Sequence, residues 1–143
     1  MTTGMARDYL DRAGALVLQS RQLYERADWA LCIARAAEAV EFSLKAAIRG
    51  VGGGHKLSHD VSGDLLNQDN YQRFPSWFQE QTARFSLISK ILSELYPRAR
   101  YGLEVLDAPP SQLFMAHEAE AYLKNAEEVY YACSRLLAEM NRT

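Results

Sequence analysis

The sequence predicts an all-α fold, an antiparallel up-and-down helical bundle of four long helices plus one short helix. Three observations predict it. Apolar residues recur at three- and four-residue steps along four long stretches, the spacing of a helix with one buried face. Asp28, Gly50, Pro75 and Pro97 fall where those stretches begin or end. No stretch alternates apolar and polar residues as a strand would.

The first helix is expected from about Met5 to Arg26, where Tyr9, Leu10, Ala13, Leu16, Val17, Leu23 and Tyr24 form one stripe. Asp28 is an N-cap for the second, because its carboxylate can accept backbone N–H groups that have no partner inside the helix. Trp29, Ile33, Ala37, Val40, Leu44 and Ile48 then share a face. Gly50 is expected to stop that helix, with Gly52, Gly53 and Gly54 as a mobile linker. A short third helix is expected over about Asp60 to Gln68. Pro75 suits the first turn of a fourth helix, whose core face is Phe78, Phe85, Ile88, Ile91, Leu92 and Leu95. Pro97 is expected to end it, since proline has no N–H to donate and clashes with a continuing helix. Arg98 to Gln112 then reads as irregular, and a last helix runs from about Ser111–Met115 to Asn141. Tyr122, Tyr130 and Tyr131 cover two sides of that helix, which fits either a dimer surface or a broad core.

Composition narrows the function. The 143 residues fit one domain spanning 1–143. A net charge of −2 argues against broad, charge-driven binding to duplex nucleic acid. Cys32 and Cys133 sit among apolar neighbours and read as small buried hydrophobes, not a disulfide. No apolar run is long enough to span a membrane. The N-terminus lacks the pattern of a signal peptide, so the expected location is cytoplasmic.

Several local patterns carry chemistry. Arg98, Arg100 and Tyr101 offer two guanidiniums beside a phenol, a set that can hold a phosphate and stack a base. The competing reading is an arginine pair capping the C-terminal carbonyls of the fourth helix. His59-Asp60 offers a group that titrates near neutrality. Its competing reading is a turn in which Ser58 or Asp60 caps the short helix. Arg49 and His55 have five residues between them, across a glycine-rich loop. That loop, GVGGGHK, follows a helix and lacks the Lys-Ser/Thr ending of a phosphate loop. Glu41 and Lys45 form an i,i+4 pair, and Glu38 is placed to bind an arginine in the bundle or across a dimer. No His/carboxylate set has metal-ligand spacing on one helix, so neither a metal nor a cofactor is expected.

The layout resembles the HEPN family, the higher eukaryote and prokaryote nucleotide-binding domains. The opening ARDYLDRAGALVLQSRQLYERADWALCIARAAEAVEFSLKAAI is similar to its first two helices. SHDVSGDLL resembles its His-Asp turn, LYPRARYG its arginine-tyrosine turn, and HEAEAYLKNAEEVYY its last helix. The resemblance implies a bundle that usually dimerises, with a cleft at or near the interface. Some members are metal-independent ribonucleases, many paired as toxins with a small nucleotidyltransferase. Others are regarded as binding modules. The nuclease members carry an arginine, four to six residues, then a histidine. Here no histidine follows Arg98 or Arg100 within that spacing, and the next is His117. The resemblance therefore implies a non-enzymatic nucleotide- or nucleic-acid-related module. It would be homodimeric and partnered with a nucleotidyltransferase, with Arg98, Arg100, Tyr101 and His59 lining its cleft and a nucleotide or RNA as ligand. Two alternatives stand beside it. One is a ribonuclease using Arg98 or Arg100 with His59 or His117. The other is a plain dimeric interaction module.

Overall fold

The structure is a computed structural model that describes residues 4–142. Helix α1 is Gly4–Glu25 and α2 is Trp29–Gly50. The chain reverses between them in three residues. Ala27 makes this turn in the left-handed region (φ 59°), and the Asp28 N–H donates to the Leu23 carbonyl at 2.9 Å. Asp28 caps α2 as its sequence position suggests, accepting from the Leu31 N–H.

Helix α2 is the central element. It packs against α1, α6 and α5, and fourteen of its residues are buried. Ala34, Ala36, Ala39, Ala46 and Ala47 are wholly inaccessible. A helix apolar on nearly every side must be enclosed, and its small alanine side chains let three neighbours come close.

The short helical region is two helices, not one: α3 over Ser62–Leu66 and α4 over Gln68–Tyr71. Asn67 separates them with an extended backbone (ψ 132°) and caps α4 through its side chain. The glycine segment before them is not a free linker. Buried Asn70 accepts from the Gly54 N–H at 3.2 Å and donates to the carbonyls of Gly54 and Asp64, each at 2.8 Å. A Cβ on Gly53 would collide with the Asn70 side chain, which accounts for glycine there.

Helix α5, Ser76–Tyr101, runs straight through Pro97. This corrects the expected end and turns Arg98, Arg100 and Tyr101 from loop residues into a last helical turn. A proline in a helix interior sacrifices one backbone hydrogen bond. Here its ring is exposed, and the residue before it, Tyr96, is anchored by contacts described below. The helix ends instead at Gly102 (φ 74°), whose N–H donates to the Arg98 carbonyl. Two 3-10 turns, Glu104–Leu106 and Pro110–Gln112, lead to α6, Ala116–Met140. The Glu118 carboxylate accepts the Met115 N–H at the start of α6.

Cross-helix contacts give the topology. Arg21 meets Glu127 and Tyr24 meets Glu120, so α1 and α6 are antiparallel. Trp77 meets Glu139 and Arg84 meets Glu128, so α5 and α6 are antiparallel. Cys32 lies against Ala119 and Gly50 against Leu137, so α2 and α6 run together. The order is up, down, up, down. No helix among the described residues is long and apolar enough to cross a membrane.

Two stability outcomes follow. Asn70→Ala should lower unfolding stability by about 1–3 kcal/mol, because it strands buried backbone groups, and should speed hydrogen exchange at Gly54. Pro97→Ala should raise stability by up to about 3 kcal/mol. Denaturant unfolding measures both.

Candidate functional site

Three polar residues on the otherwise apolar α2 build the site. Glu38, Glu41 and Lys45 lie at i, i+3 and i+7, a spacing that puts them on one face. That face meets α5 and the turn before α3.

Glu41 is the hub. Its side chain is only 12% exposed, and it takes Lys45 Nζ at 2.8 Å on one oxygen and His59 Nδ1 at 2.6 Å on the other. Lys45 is itself 8% exposed. The pair is therefore much more enclosed than its i,i+4 spacing alone suggests. With Nδ1 donating to Glu41, His59 Nε2 has no partner among the described residues. The His59 ring is 70% exposed and packs on Tyr96, centroid to centroid 5.5 Å.

Tyr96 is the second hub, and the sequence reading missed it. Its hydroxyl donates to Glu38 at 3.0 Å and accepts from Arg100 Nη1 at 3.0 Å. Glu38 also takes Arg35 from one turn back. Burial pushes the Tyr96 hydroxyl above the usual phenol range; the Arg100 hydrogen bond opposes this and the Glu38 charge adds to it. The hydroxyl thus stays protonated and keeps donating at neutral pH. Arg100 lies over the rings of both Tyr96 and Tyr101, at 5.7 and 5.3 Å. Its hydrogen bond to the Tyr96 hydroxyl is the main reason its own pKa rises above the ordinary arginine value. A small cleft opens among Glu38, Glu41, His59, Ser89, Ser93 and Tyr96.

Of the four residues singled out from the sequence, the fold thus brings His59 and Arg100 onto Tyr96, with Tyr101 joined to them only through Arg100. Arg98 stands apart. Two residues on a helix differ by about 200°, and Arg98 is exposed with no ion pair or side-chain hydrogen bond among the described residues. Asp60 does what a turn residue does, accepting the Ser62 N–H at 2.9 Å. His117 is exposed in the first turn of α6. Arg49 and His55 do touch, Nε to Nε2 at 3.0 Å, with Arg49 over the Tyr9 ring. Among the described residues no group of three or more His, Cys, Asp or Glu could hold a metal ion.

With this geometry in hand, the HEPN domain family model matches residues 6–136, nearly the whole chain. The chain belongs to the HEPN domain family. No curated protein and no solved structure matches it. Family membership supports a nucleotide- or nucleic-acid-related module in general. In this HEPN domain the matched span includes both hubs, the His59 turn and the end of α5.

Two tests probe the hubs. Glu41→Ala leaves Lys45 enclosed without a counter-ion and should cost about 3 kcal/mol. Lys45→Met in the same chain should recover most of that loss. Tyr96 has a raised folded pKa, so its contribution is intact below about pH 10 and fades as pH rises beyond it. The stability advantage of the parent chain over Tyr96→Phe should shrink in that range, as thermal melts would record.

Proposed function

We propose that this protein is a non-enzymatic binding module for a nucleotide or a short single-stranded RNA segment, held at Arg100, Tyr101 and His59. One observation carries the reading. Arg100 is spread between two aromatic rings, yet among the described residues its one side-chain hydrogen bond goes to a neutral hydroxyl and no carboxylate forms an ion pair with it, the Glu38 charge reaching it only across Tyr96. A guanidinium with four donors to spare and no carboxylate in direct contact among the described residues suits a phosphate. Tyr101, 57% exposed beside it, offers a face for a base. His59 presents Nε2 as a third polar contact. Arg98 does not touch the ligand in this reading because it faces away from Arg100. A small nucleotidyltransferase as protein partner belongs to the proposal on the family resemblance alone.

A second reading has its own support. Glu41 holding His59 by Nδ1 is the arrangement by which a carboxylate orients an imidazole for proton transfer at Nε2. His59 and Arg100 also contact the same Tyr96. A metal-independent ribonuclease would thus use His59 with Arg100, although they are far apart in sequence.

Titration with nucleoside monophosphates and a short fluorescent RNA decides the first reading. Arg100→Ala should weaken binding by at least about tenfold, and Tyr101→Ala by about 1–3 kcal/mol per stacked base. Arg98→Ala should change little. Equal binding by the parent chain and Arg100→Ala would overturn the assignment. RNA cleavage in EDTA that disappears in both His59→Ala and Arg100→Ala would establish the second reading instead.

A further inference from the structure

The polar face of α2 does not end at Lys45. Arg49 follows one turn later, and Glu38, Glu41, Lys45 and Arg49 fall within about 80° of one another around the axis. The Arg49 backbone lies about 16 Å along the helix from that of Glu38. Its guanidinium is held in place. Arg49 Nε donates to His55 Nε2 at 3.0 Å, and the group sits over the Tyr9 ring of α1 at 5.9 Å. Tyr9 packs in turn on Phe42 of α2, centroid to centroid 5.5 Å. His55 Nδ1 donates to the Lys56 carbonyl at 3.0 Å. Both ring nitrogens of His55 are therefore engaged. It orients Arg49 and has none left to exchange a proton with a ligand.

Arg49 Nη1 and Nη2 have no partner among the described residues, and no carboxylate pairs with them. An arginine in the last turn of a helix commonly caps its carbonyls. This one turns to His55 and Tyr9 instead. It thus repeats the features of Arg100: a guanidinium over a tyrosine ring, bonded to a neutral group, with most donors unused. Between the two arginines the acids are matched. Glu38 takes Arg35 and the Tyr96 hydroxyl, and Glu41 takes Lys45 and His59. A hollow of about 240 Å³ opens there, lined by Glu41, Lys45, Leu57, Ser58 and His59. It shares Glu41 and His59 with the cleft at Tyr96. The face is therefore a track, with an unmatched cation at each end and its carboxylates satisfied in the middle.

A mononucleotide carries its phosphate at one end and cannot reach both arginines. A single strand carries a phosphate on every nucleotide and can. We propose that Arg49 is a second phosphate site, and that single-stranded RNA lies along α2 from Arg49 to Arg100. His59 Nε2 lies between the two, open to the strand. The proposal rests on the reading of Arg100 as a phosphate site, and it adds a contact that a mononucleotide does not make. The two therefore fail separately.

Calorimetric titration of the full chain with UMP and with a uridylate hexamer is the test, with circular dichroism checking that each variant stays helical. The hexamer should bind at least ~10-fold more tightly than UMP, because its second contact forms within one complex. Arg49→Ala should remove most of that advantage and leave UMP binding unchanged, whereas Arg100→Ala should weaken both. The slope of log affinity against log salt for the hexamer should flatten by about 0.7 in Arg49→Ala, one phosphate contact fewer. A merely structural arginine would leave that slope unmoved. A hexamer that binds no better than UMP would overturn the second site and leave Arg100 standing. So would an Arg49→Ala variant with the parent affinity and salt slope, or equal displacement of the hexamer by polyglutamate. A parent chain that binds neither ligand would overturn both readings.

Discussion

A carboxylate on a helix that is enclosed on nearly every side has to find partners or forfeit its hydration without compensation. That constraint, acting at Glu38 and Glu41 of α2, organises much of what surrounds them. Glu41 keeps Lys45 folded back along the helix and draws His59 in from the turn before α3. Glu38 fixes the Tyr96 hydroxyl, and Tyr96 fixes Arg100. The exposed groups that look capable of chemistry are thus the outer ends of two short chains rooted in the core. Their positions are set from inside.

Much of the fold was legible in the sequence because its signals are local. Asp28 as a cap, the apolar stripes, and the start of α5 just after Pro75 each depend on neighbours within about one turn. What was not legible depends on contacts between distant residues. Pro97 is a strong stop signal, yet the helix passes it because Tyr96 is held by Glu38, fifty-eight positions earlier. Taking Pro97 as an end also hid the four-residue step from Tyr96 to Arg100, a helical spacing that would have pointed to Tyr96. The glycine loop looked slack because nothing nearby restrains it, whereas Asn70 does so from sixteen residues on. Arg98 and Arg100 looked like a pair because they are close in sequence; on a helix they face different ways.

The candidate site was legible in kind more than in arrangement. Arginine, tyrosine and histidine are types that can hold a phosphate and stack a base, and the sequence alone does not say which of them meet. The Glu41–Lys45 pair, legible as an i,i+4 spacing, is enclosed, and this sets its meaning. An exposed pair is worth a few tenths of a kcal/mol. An enclosed one makes each partner indispensable to the other and gives His59 a fixed anchor.

The three-residue reversal at Ala27 bears on how the chain reaches this state. It joins α1 and α2, which share the most extensive contact in the molecule, so that contact forms at minimal loop-closure entropy. The α6 contacts, by contrast, close loops such as the one from Cys32 to Ala119. Local contacts form early and distant ones late. The α1–α2 hairpin is accordingly the natural nucleus, able to assemble while the remainder of the chain is still being synthesised, and α6 is the final strut. Until α6 packs, one side of α2 lacks its cover, so a chain that has not yet closed α6 carries that apolar side exposed to water.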